Sequence, residues 1–374
     1  MKRLLCLLLV LSLVLAGCGK KEAEIPTEPS TEATAAPTTE ATEAPTTEAT
    51  EPETEPTEPE TEPTEPLGQV NPLTGEPLEE VYTGRPVAFS LNNSSACLPQ
   101  YGLDKLDWMF EVETEGGITR CMGIMTNPAN ANTVGPIRSC RTYFLNLSVS
   151  YNAPLFHCGG SKFSDANQYS ASTDTLSSWD HLNQMGNGGN YFYRETSRNG
   201  KYAFEHTLFT SGKLMVKGMD NLGYSTTSGE PVDYGYRFQD DVALEGQDAA
   251  KISIKFLGGK STVMKYDADS GLYKAHQNGK NWIEGSTGKN ATFRNILIVT
   301  TPQSKADSGH SFYELDGTGD GYYAVDGKMV PVKWHHEDAK GPFSFTMEDG
   351  TPITLGVGKT YCAIVSTEGS VTAE

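Results

Sequence analysis

The pattern of hydrophobic and polar positions divides this chain of 374 residues into three parts. An apolar run at residues 4–15 follows the basic pair Lys2-Arg3 and is too short to cross a bilayer comfortably. Residues 22–66 are almost wholly Thr, Glu, Pro and Ala. Beyond Leu67, short apolar runs alternate with turn residues, so this third part is predicted to fold.

Residues 67–225 show both strand and helix periodicity. Trp108-Met109-Phe110-Glu111-Val112 alternates, the Gly116-Gly117 pair predicts a turn, and residues 107–126 are therefore predicted to form a hairpin. Apolar positions at helical spacing predict a helix over 139–150, and Ser211 is a suitable N-cap for a second helix that ends at Gly223. This segment is predicted to be an α/β domain.

Residues 235–374 have a different texture, with short strand candidates separated by Gly, Asp and Asn. The predicted fold class is therefore α+β. It combines a layered sheet and helix sandwich in the N-terminal domain (67–225) with a smaller β-rich C-terminal domain (235–374).

The first 18 residues resemble a bacterial lipoprotein signal peptide. A basic start, an apolar stretch and the sequence Leu15-Ala16-Gly17-Cys18 look like a lipobox, in which Cys18 is lipidated. An ordinary signal peptide is the alternative, but a cysteine at the cleavage point favours the lipoprotein. The expected location is the extracytoplasmic face of the cell membrane, with the membrane as a partner through the lipidated N-terminus.

Residues 19–66 are predicted to be a disordered linker. Thr, Glu, Pro and Ala dominate it, and such a composition cannot bury enough apolar surface to offset the entropy of ordering. Its glutamates supply much of the formal net charge of −19, so the remaining chain is only mildly acidic. Nothing in this balance favours nucleic-acid binding, which requires a basic face.

No motif predicts a metal site or a cofactor. Residues 316–321 begin like a calcium loop but lack the carboxylate at the twelfth position, so a glycine-rich hairpin is expected. His335-His336-Glu337-Asp338 lacks the spacing of a metal-hydrolase helix and is expected to form an exposed loop. The five cysteines beyond Cys18 match neither a zinc site nor a redox pair.

The first domain contains a set of polar residues that could form a cleft. Arg120 shares a strand face with apolar residues, so it needs a partner, and the carboxylates of the same hairpin are available. Arg138 and Arg141, at i and i+3, are predicted to project from one side of a helix start. The other members are His157, the glycine turn Gly159-Gly160-Ser161, Arg194, Glu195, Arg198 and His206.

Several of these motifs resemble the YerB-like family of bacterial lipoproteins, a domain of unknown function. The matching segments include Asn71-Pro72-Leu73-Thr74-Gly75, residues 115–120, residues 135–139 and Gly159-Gly160-Ser161, and later segments at 317–323 and 358–361. The resemblance implies an α/β first domain, a smaller second domain and an envelope location. It also implies that Glu115, Arg120, Arg138, Arg141 and the glycine turn belong to the polar signature of the family. Arg194 and His206 lie in a segment that is similar to the family pattern, with Glu205 in place of a proline.

Two functional hypotheses follow. The first is a binding protein that holds an anionic cell-envelope ligand through Arg120, Arg138, Arg141, Gly159, Gly160, Ser161, Arg194 and His206, because arginine suits bidentate recognition of carboxylate or phosphate. The alternative is a hydrolase or transferase of envelope polymers, in which Glu115 or Glu113 acts as acid and base near His157. An internal Arg–Glu network without a ligand, and docking of a protein partner through edge strands, also remain open.

Overall fold

A computed structural model describes residues 69–160, 179–305, 309–337 and 341–374, all within one compact unit. The described residues contain two α-helices, α1 (Thr142–Ser150) and α2 (Gly212–Leu222). Strands account for most of the remaining regular structure, and no described helix is long and apolar enough to span a membrane. The predicted fold class, a layered α+β protein rich in strands, is confirmed.

The largest sheet has eleven strands, in the order β20-β19-β18-β15-β22-β2-β3-β1-β4-β5, and β9 also pairs with β19. Its strands are β1 (Val87–Asn92), β2 (Trp108–Glu113), β3 (Thr119–Met125), β4 (Leu155–His157), β5 (His181–Asn183), β9 (Gln247–Asp248), β15 (Asn295–Thr301), β18 (Gly317–Val325), β19 (Lys328–His336), β20 (Ser344–Thr346) and β22 (Thr360–Ser366).

A second sheet has six strands, in the order β13-β12-β11-β10-β23, with β14 paired to β12. They are β10 (Lys251–Lys255), β11 (Ser261–Asp267), β12 (Leu272–Gln277), β13 (Lys280–Asn281), β14 (Thr292–Phe293) and β23 (Ser370–Ala373). Three two-stranded sheets complete the set: β6 (Tyr193–Arg194) with β7 (Leu208–Phe209), β8 (Phe238–Gln239) with β21 (Leu355–Gly356), and β16 (Gln303–Lys305) with β17 (Ser311–Tyr313).

The large sheet is continuous across the predicted domain boundary. β2 and β3 form the expected antiparallel hairpin, and β2 also pairs in parallel with β22, about 250 residues later. β22 pairs in parallel with β15, so the strands of the two halves of the chain lie side by side in one hydrogen-bonded sheet and meet at the β22–β2 pair. The two halves therefore share their central layer.

Both faces of this sheet are buried. On β2, Trp108 and Phe110 belong to the core that α1 covers, whereas Met109 belongs to the core on the opposite side, together with residues of α2 and the second sheet. Residues of a strand alternate between faces, so the alternation seen in the sequence separates two apolar layers and not a core from solvent.

Glu111 lies in the second of these layers and is completely buried. Its Oε1 accepts hydrogen bonds from Asn93 Nδ2 (2.9 Å) and Thr119 Oγ1 (2.5 Å). Its Oε2 accepts from Thr262 Oγ1 (2.9 Å) and Tyr361 OH (2.6 Å). Because the last two donors come from β11 and β22, this one carboxylate connects the two halves of the chain.

The helix boundaries follow local signals. For α2, Ser211 Oγ accepts from Leu214 N (3.4 Å), and Gly223 adopts a left-handed conformation (φ 72°) at the C-terminus, as expected for a glycine cap. α1 begins at Thr142, three residues later than predicted.

The expectation of an exposed loop at residues 335–338 is wrong over its first half. His335 and His336 are the last residues of β19, and His336 is buried between Leu315 O, Ser150 Oγ and the ring of Phe343. Burial lowers the pKa of His336. The pairing of β19 with β18, in which His336 lies opposite Gly317, extends the strand to this point.

Candidate functional site

The predicted polar residues gather at one edge of the large sheet. β1 pairs in parallel with β4, and β4 with β5, so the carboxyl ends of these three strands lie together. Asn92 and His157 end the first two strands, and Arg120 of the antiparallel β3 lies opposite Asn92. The carboxyl ends of parallel strands are a common position for ligand sites, since the following loops converge there.

Arg120 is a buried guanidinium, only 4% exposed. Its Nη1 donates to Ser139 O (2.7 Å), and no ion pair forms between Arg120 and any residue that the structure describes. Burial lowers its pKa to about 10, and the nearby charge of Arg138 acts in the same direction. The side chain therefore stays protonated at neutral pH.

The predicted carboxylate partners of Arg120 are engaged elsewhere. Glu111 forms the buried hub described above, and Glu113 accepts two hydrogen bonds from Gly258 N (3.0 and 2.9 Å). Burial raises the pKa of Glu113. Glu115 pairs with Arg141. The prediction of an Arg120–Glu pair within the hairpin is wrong, because each of these glutamates is bonded to residues other than Arg120 of the same chain.

Arg138 lies between two parallel strands. Its backbone N donates to Ser90 O of β1 (2.8 Å), and its backbone O accepts from Cys158 N, directly after β4 (3.0 Å). The side chain is half-buried, and its Nε is shielded from solvent with no hydrogen-bond partner among the described residues. Arg138 thus brings an unused donor and a full charge to the edge where β1 and β4 end.

Arg141 is neutralised by Glu115. Its Nε donates to Oε2 (3.1 Å), its Nη2 pairs with Oε1, and its Nη1 donates to Cys140 O (2.8 Å). The predicted projection of Arg138 and Arg141 from one helix face is wrong, since Arg141 occupies the N-cap position and Arg138 precedes the helix in extended backbone. Only Arg138 retains a free donor.

Arg194 and His206 lie on a neighbouring two-stranded sheet and the turn that precedes β7. The guanidinium of Arg194 stacks on the ring of Phe204, 3.7 Å from its centroid, and Nη1 donates to Phe204 O (2.7 Å). The charges of Arg194 and Arg138 both act on the thiol of Cys158, whose pKa is nevertheless raised by burial. Cys158 therefore lies within electrostatic range of both guanidinium groups.

His206 is held in one tautomer by Asn92. Asn92 Oδ1 accepts from Ser94 N (3.1 Å), so its Nδ2 faces His206 and donates to Nδ1 (2.8 Å). Burial lowers the pKa of His206, and the charge of Arg138 acts in the same direction. The neutral ring therefore carries its proton on Nε2. Sequence reasoning did not single out Asn92, and an amide at the end of a strand has no distinctive pattern.

Arg198 is hydrogen-bonded to the turn that contains His206. It is buried, its Nη1 donates to Cys97 O (2.7 Å) and His206 O (3.1 Å), and its Nη2 bonds Pro99 O. The guanidinium also lies over the rings of Tyr101, Tyr202 and Phe209. It brings a further positive charge, and no carboxylate pairs with it in the described ranges.

The turn after β4 is built as predicted but its polar groups are partly used. Gly159 has a left-handed backbone (φ 68°), and its N–H, expected to be available to a ligand, donates to Asn183 Oδ1 (2.8 Å). Gly160 forms a bridge with Cys140. Ser161 lies outside the described residues, and so does the lipidation residue Cys18.

His157 is almost fully buried, 1% exposed, and both ring nitrogens have partners. Nδ1 donates to Gly159 O (2.7 Å), so Nε2 is the acceptor in its contact with His181 Nδ1 (3.0 Å). Burial lowers the pKa of His157 to about 4. Glu115 is therefore engaged by Arg141, and both ring nitrogens of His157 are engaged by Gly159 O and His181.

The comparisons with known proteins agree with the fold. Models of the N-terminal and C-terminal domains of a protein of unknown function, DUF3048, match residues 73–225 and 252–362. The chain is 27% identical over 299 residues to a Bacillus subtilis (strain 168) protein with the name "Putative lipoprotein YerB", covering 79% of this chain and 85% of the relative. The crystal structure of YerB from Bacillus subtilis matches with a TM-score of 0.69 at 26% identity, covering 81% of this chain and 99% of that one.

These matches confirm the resemblance that the motifs of the first domain indicated. They extend over both halves of the chain, in the same order, and the relative with a known structure shares the fold. The chain belongs to the YerB-like family, which is built from the N-terminal and C-terminal domains of DUF3048.

Proposed function

We propose that this protein is a lipid-anchored binding protein on the outer face of the cytoplasmic membrane, and that it holds an anionic cell-envelope ligand at Arg120, Arg138, Arg194 and His206. The name cationic cluster is used for these four residues. Arg141, Gly159 and Gly160 are not proposed as direct ligand contacts, because Arg141 pairs with Glu115, Gly159 N donates to Asn183 and Gly160 bridges Cys140.

The observation that carries this proposal is uncompensated positive charge. Arg120 and Arg198 are buried, Arg138 is half-buried, and none of the three pairs with a carboxylate among the described residues. Burying a cation without a counter-charge is costly, and a bound anion would remove that cost. Glu205, the carboxylate next to His206, is exposed and forms no ion pair within 4.0 Å in the described part of the chain. A hydrogen bond to its own backbone lowers its pKa, and the charges of His206 and Arg138 act in the same direction.

The available donors suit an oxyanion. The half-buried guanidinium of Arg138 forms no ion pair with any described residue, and His206 carries its proton on Nε2 because Nδ1 accepts from Asn92. Guanidinium groups bind carboxylate and phosphate oxygens in bidentate geometry. The cluster therefore offers several donors and positive charge at the end of β1 and β4, where an oxyanion would satisfy both.

The membrane part of the proposal depends on Cys18. The lipobox-like sequence before this cysteine and the name of the Bacillus subtilis relative both support lipid anchoring. Fractionation of cells that produce the full chain tests it. The parent chain is expected in the membrane fraction and accessible to external protease, and Cys18→Ser is expected to lose the membrane association. Membrane-bound Cys18→Ser, or complete protection from external protease, would contradict this assignment.

Ligand binding can be tested with the full chain in detergent. The melting temperature is measured against inorganic phosphate, peptidoglycan fragments and polyglycerol phosphate. A ligand at about 100 times its dissociation constant adds about 2.7 kcal/mol, which corresponds to a shift of several degrees.

The matched variants are Arg138→Ala and Arg237→Ala. Arg237 is an exposed arginine that pairs with Asp233, so its removal changes the net charge equally. We expect the shift to disappear in Arg138→Ala and to persist in Arg237→Ala. If no anion shifts the parent chain, or if both variants behave alike, the cationic cluster is not an anion site.

A further inference from the structure

Two of the most exposed apolar side chains of the described structure border the cationic cluster. Phe204 is 71% exposed and Met185 is 74% exposed. Leaving large apolar groups in water is unfavourable, and exposed patches of this kind frequently mark binding surfaces. Phe204 and Met185 therefore place apolar surface next to guanidinium groups that have no ion pair among the described residues.

Phe204 is held rigidly with one ring face open. Arg194 covers the other face at 3.7 Å from the ring centroid, and its Nη1 donates to the backbone O of the same residue (2.7 Å). Phe204 begins the short turn that ends at His206, and His206 is fixed by Asn92. Since the side chain remains mostly exposed despite the stacked guanidinium, its second face is available to a ligand.

Met185 lies above the glycine turn. Its backbone N donates to Asn183 Oδ1 (3.1 Å), the same oxygen that accepts from Gly159 N (2.8 Å). Its Sδ is 3.0 Å from the point where a β-carbon on Gly159 would lie. A glycine at position 159 therefore permits the close approach of this flexible apolar side chain to the end of β4.

Phe204 and Met185 both lie close to residues that interact with the cationic cluster. Arg194, which stacks on Phe204, acts on Cys158, and Cys158 Sγ contacts Gln184 Oε1 (3.3 Å), next to Met185. Arg138 acts on both Cys158 and His206. Donors for an anion and an open aromatic face are thus combined at one edge of the sheet.

We infer that the ligand is an anion attached to a sugar-like ring, with the phosphate or carboxylate on the cationic cluster and an apolar ring face stacked on Phe204. This inference rests on the proposed function and adds the class of ligand to it. A free inorganic anion would use the guanidinium groups but not the aromatic face. A ring with C–H groups on one side and a charged substituent at its edge would use both.

The experiment measures dissociation constants of the full chain in detergent by calorimetry, for inorganic phosphate, glucose 6-phosphate, glucuronate, glucose and hexyl phosphate. Glucose 6-phosphate and glucuronate separate the two anion sources. We expect at least one of them to bind about fivefold to tenfold more tightly than inorganic phosphate, the range that one aromatic contact provides. Glucose alone is expected not to bind measurably.

The variants are Phe204→Ala, Phe204→Tyr and, as a matched control, Val81→Ala. Val81 is another exposed apolar residue. Its neighbour Tyr82 donates to Thr126 O, which follows the last residue of β3, whereas Arg120 is near the first residue of that strand. Because Phe204 is exposed, its substitution should not prevent folding. Phe204→Ala is expected to abolish the advantage of the sugar anion and to leave phosphate binding intact, whereas Phe204→Tyr and Val81→Ala retain the advantage.

The outcomes distinguish the anion site from the contact between a sugar ring and Phe204. If phosphate and both sugar anions bind equally, the ring assignment is overturned and the anion site stands. The same follows if hexyl phosphate shows the full advantage, because a chain and not a ring would then be preferred. If none of the anions binds, the proposed function itself fails.

Discussion

Two buried charged side chains lie on neighbouring strands of the large sheet and differ in the groups that stabilise their charge. The Glu111 carboxylate is completely buried and accepts four hydrogen bonds from neutral donors. The guanidinium of Arg120 on β3 has one carbonyl partner at 2.7 Å and faces the further positive charge of Arg138. The first charge is met by hydrogen bonds within the protein, whereas the second has no ion-paired carboxylate among the described residues.

The difference indicates which charged residues are structural. A buried charge with all of its hydrogen-bonding capacity satisfied inside the protein holds elements together. A buried charge that lacks a counter-charge costs stability, and such a cost persists where a function requires it. By this criterion Glu111 and Arg141 are structural, and Arg120 and Arg138 are the residues that we propose for the anion site.

The largest expected effect comes from breaking the complete site. Glu111→Ala removes the acceptor of four buried donors and is expected to lower the free energy of unfolding by about 3–5 kcal/mol. Urea denaturation of the full chain measures it. Glu111→Gln keeps the shape and one acceptor oxygen and should cost clearly less. Equal, small losses for both variants would show that the hub does not hold the two halves together.

A smaller effect is expected on the pH dependence of the free energy of unfolding, through the buried His157. The pKa of His157 is lowered to about 4 from an ordinary value near 6.5, so the unfolded chain binds the proton more readily. The stability that this residue contributes is present above pH 6.5 and is lost as the pH falls towards 4.

For His157 alone the loss between pH 7.5 and pH 4.5 is expected to be about 2–3 kcal/mol. The measurement is the free energy of unfolding at both values for the parent chain and for His157→Gln, which lacks the titrating group. A parent and a variant with the same pH dependence would mean that His157 is not held neutral by its burial.

The smallest effect compares the two arginines directly. Arg141→Ala removes a charge-assisted pair with Glu115 and is expected to cost about 1–2 kcal/mol. Arg138→Ala removes a cation that has no described carboxylate partner, so the free energy of unfolding should stay within about 0.5 kcal/mol of the parent value. Urea denaturation without added anions measures both. Reversed magnitudes would make Arg138 a structural residue and Arg141 the better ligand candidate.

Local patterns predicted the elements well. The hairpin of β2 and β3, the helix between Ser211 and Gly223 and the glycine-separated strands of the second half all depend on short-range periodicity and capping, which the sequence displays directly. The helix at 139–150 was predicted three residues too early, because the extended backbone of Arg138 and Cys140 is held by β1 and by the turn after β4.

Partner choice in the site was not predictable in the same way. The sequence placed Glu111, Glu113 and Glu115 next to Arg120 in one hairpin, and none of them pairs with it. Besides Asn93 and Thr119, the partners of Glu111 and Glu113 come from residues 258, 262 and 361, which the pairing of β2 with β22 and the approach of the second sheet bring close. Glu115 pairs with Arg141. Contacts between residues so far apart in the chain leave no periodic signal.

The sequence alone determined the family, the strand-rich α+β class, the linker composition and the set of polar residues from which a site could be built, because these depend on local composition, periodicity and motif. Only the tertiary structure decided which of those residues keep free charge. Burial and long-range strand pairing assign Glu115 to Arg141 and Glu111 to its four neutral donors, and they leave Arg120 and Arg138 together without a described carboxylate. The free energy of a buried charge depends on every group around it, and those groups meet only in the folded chain.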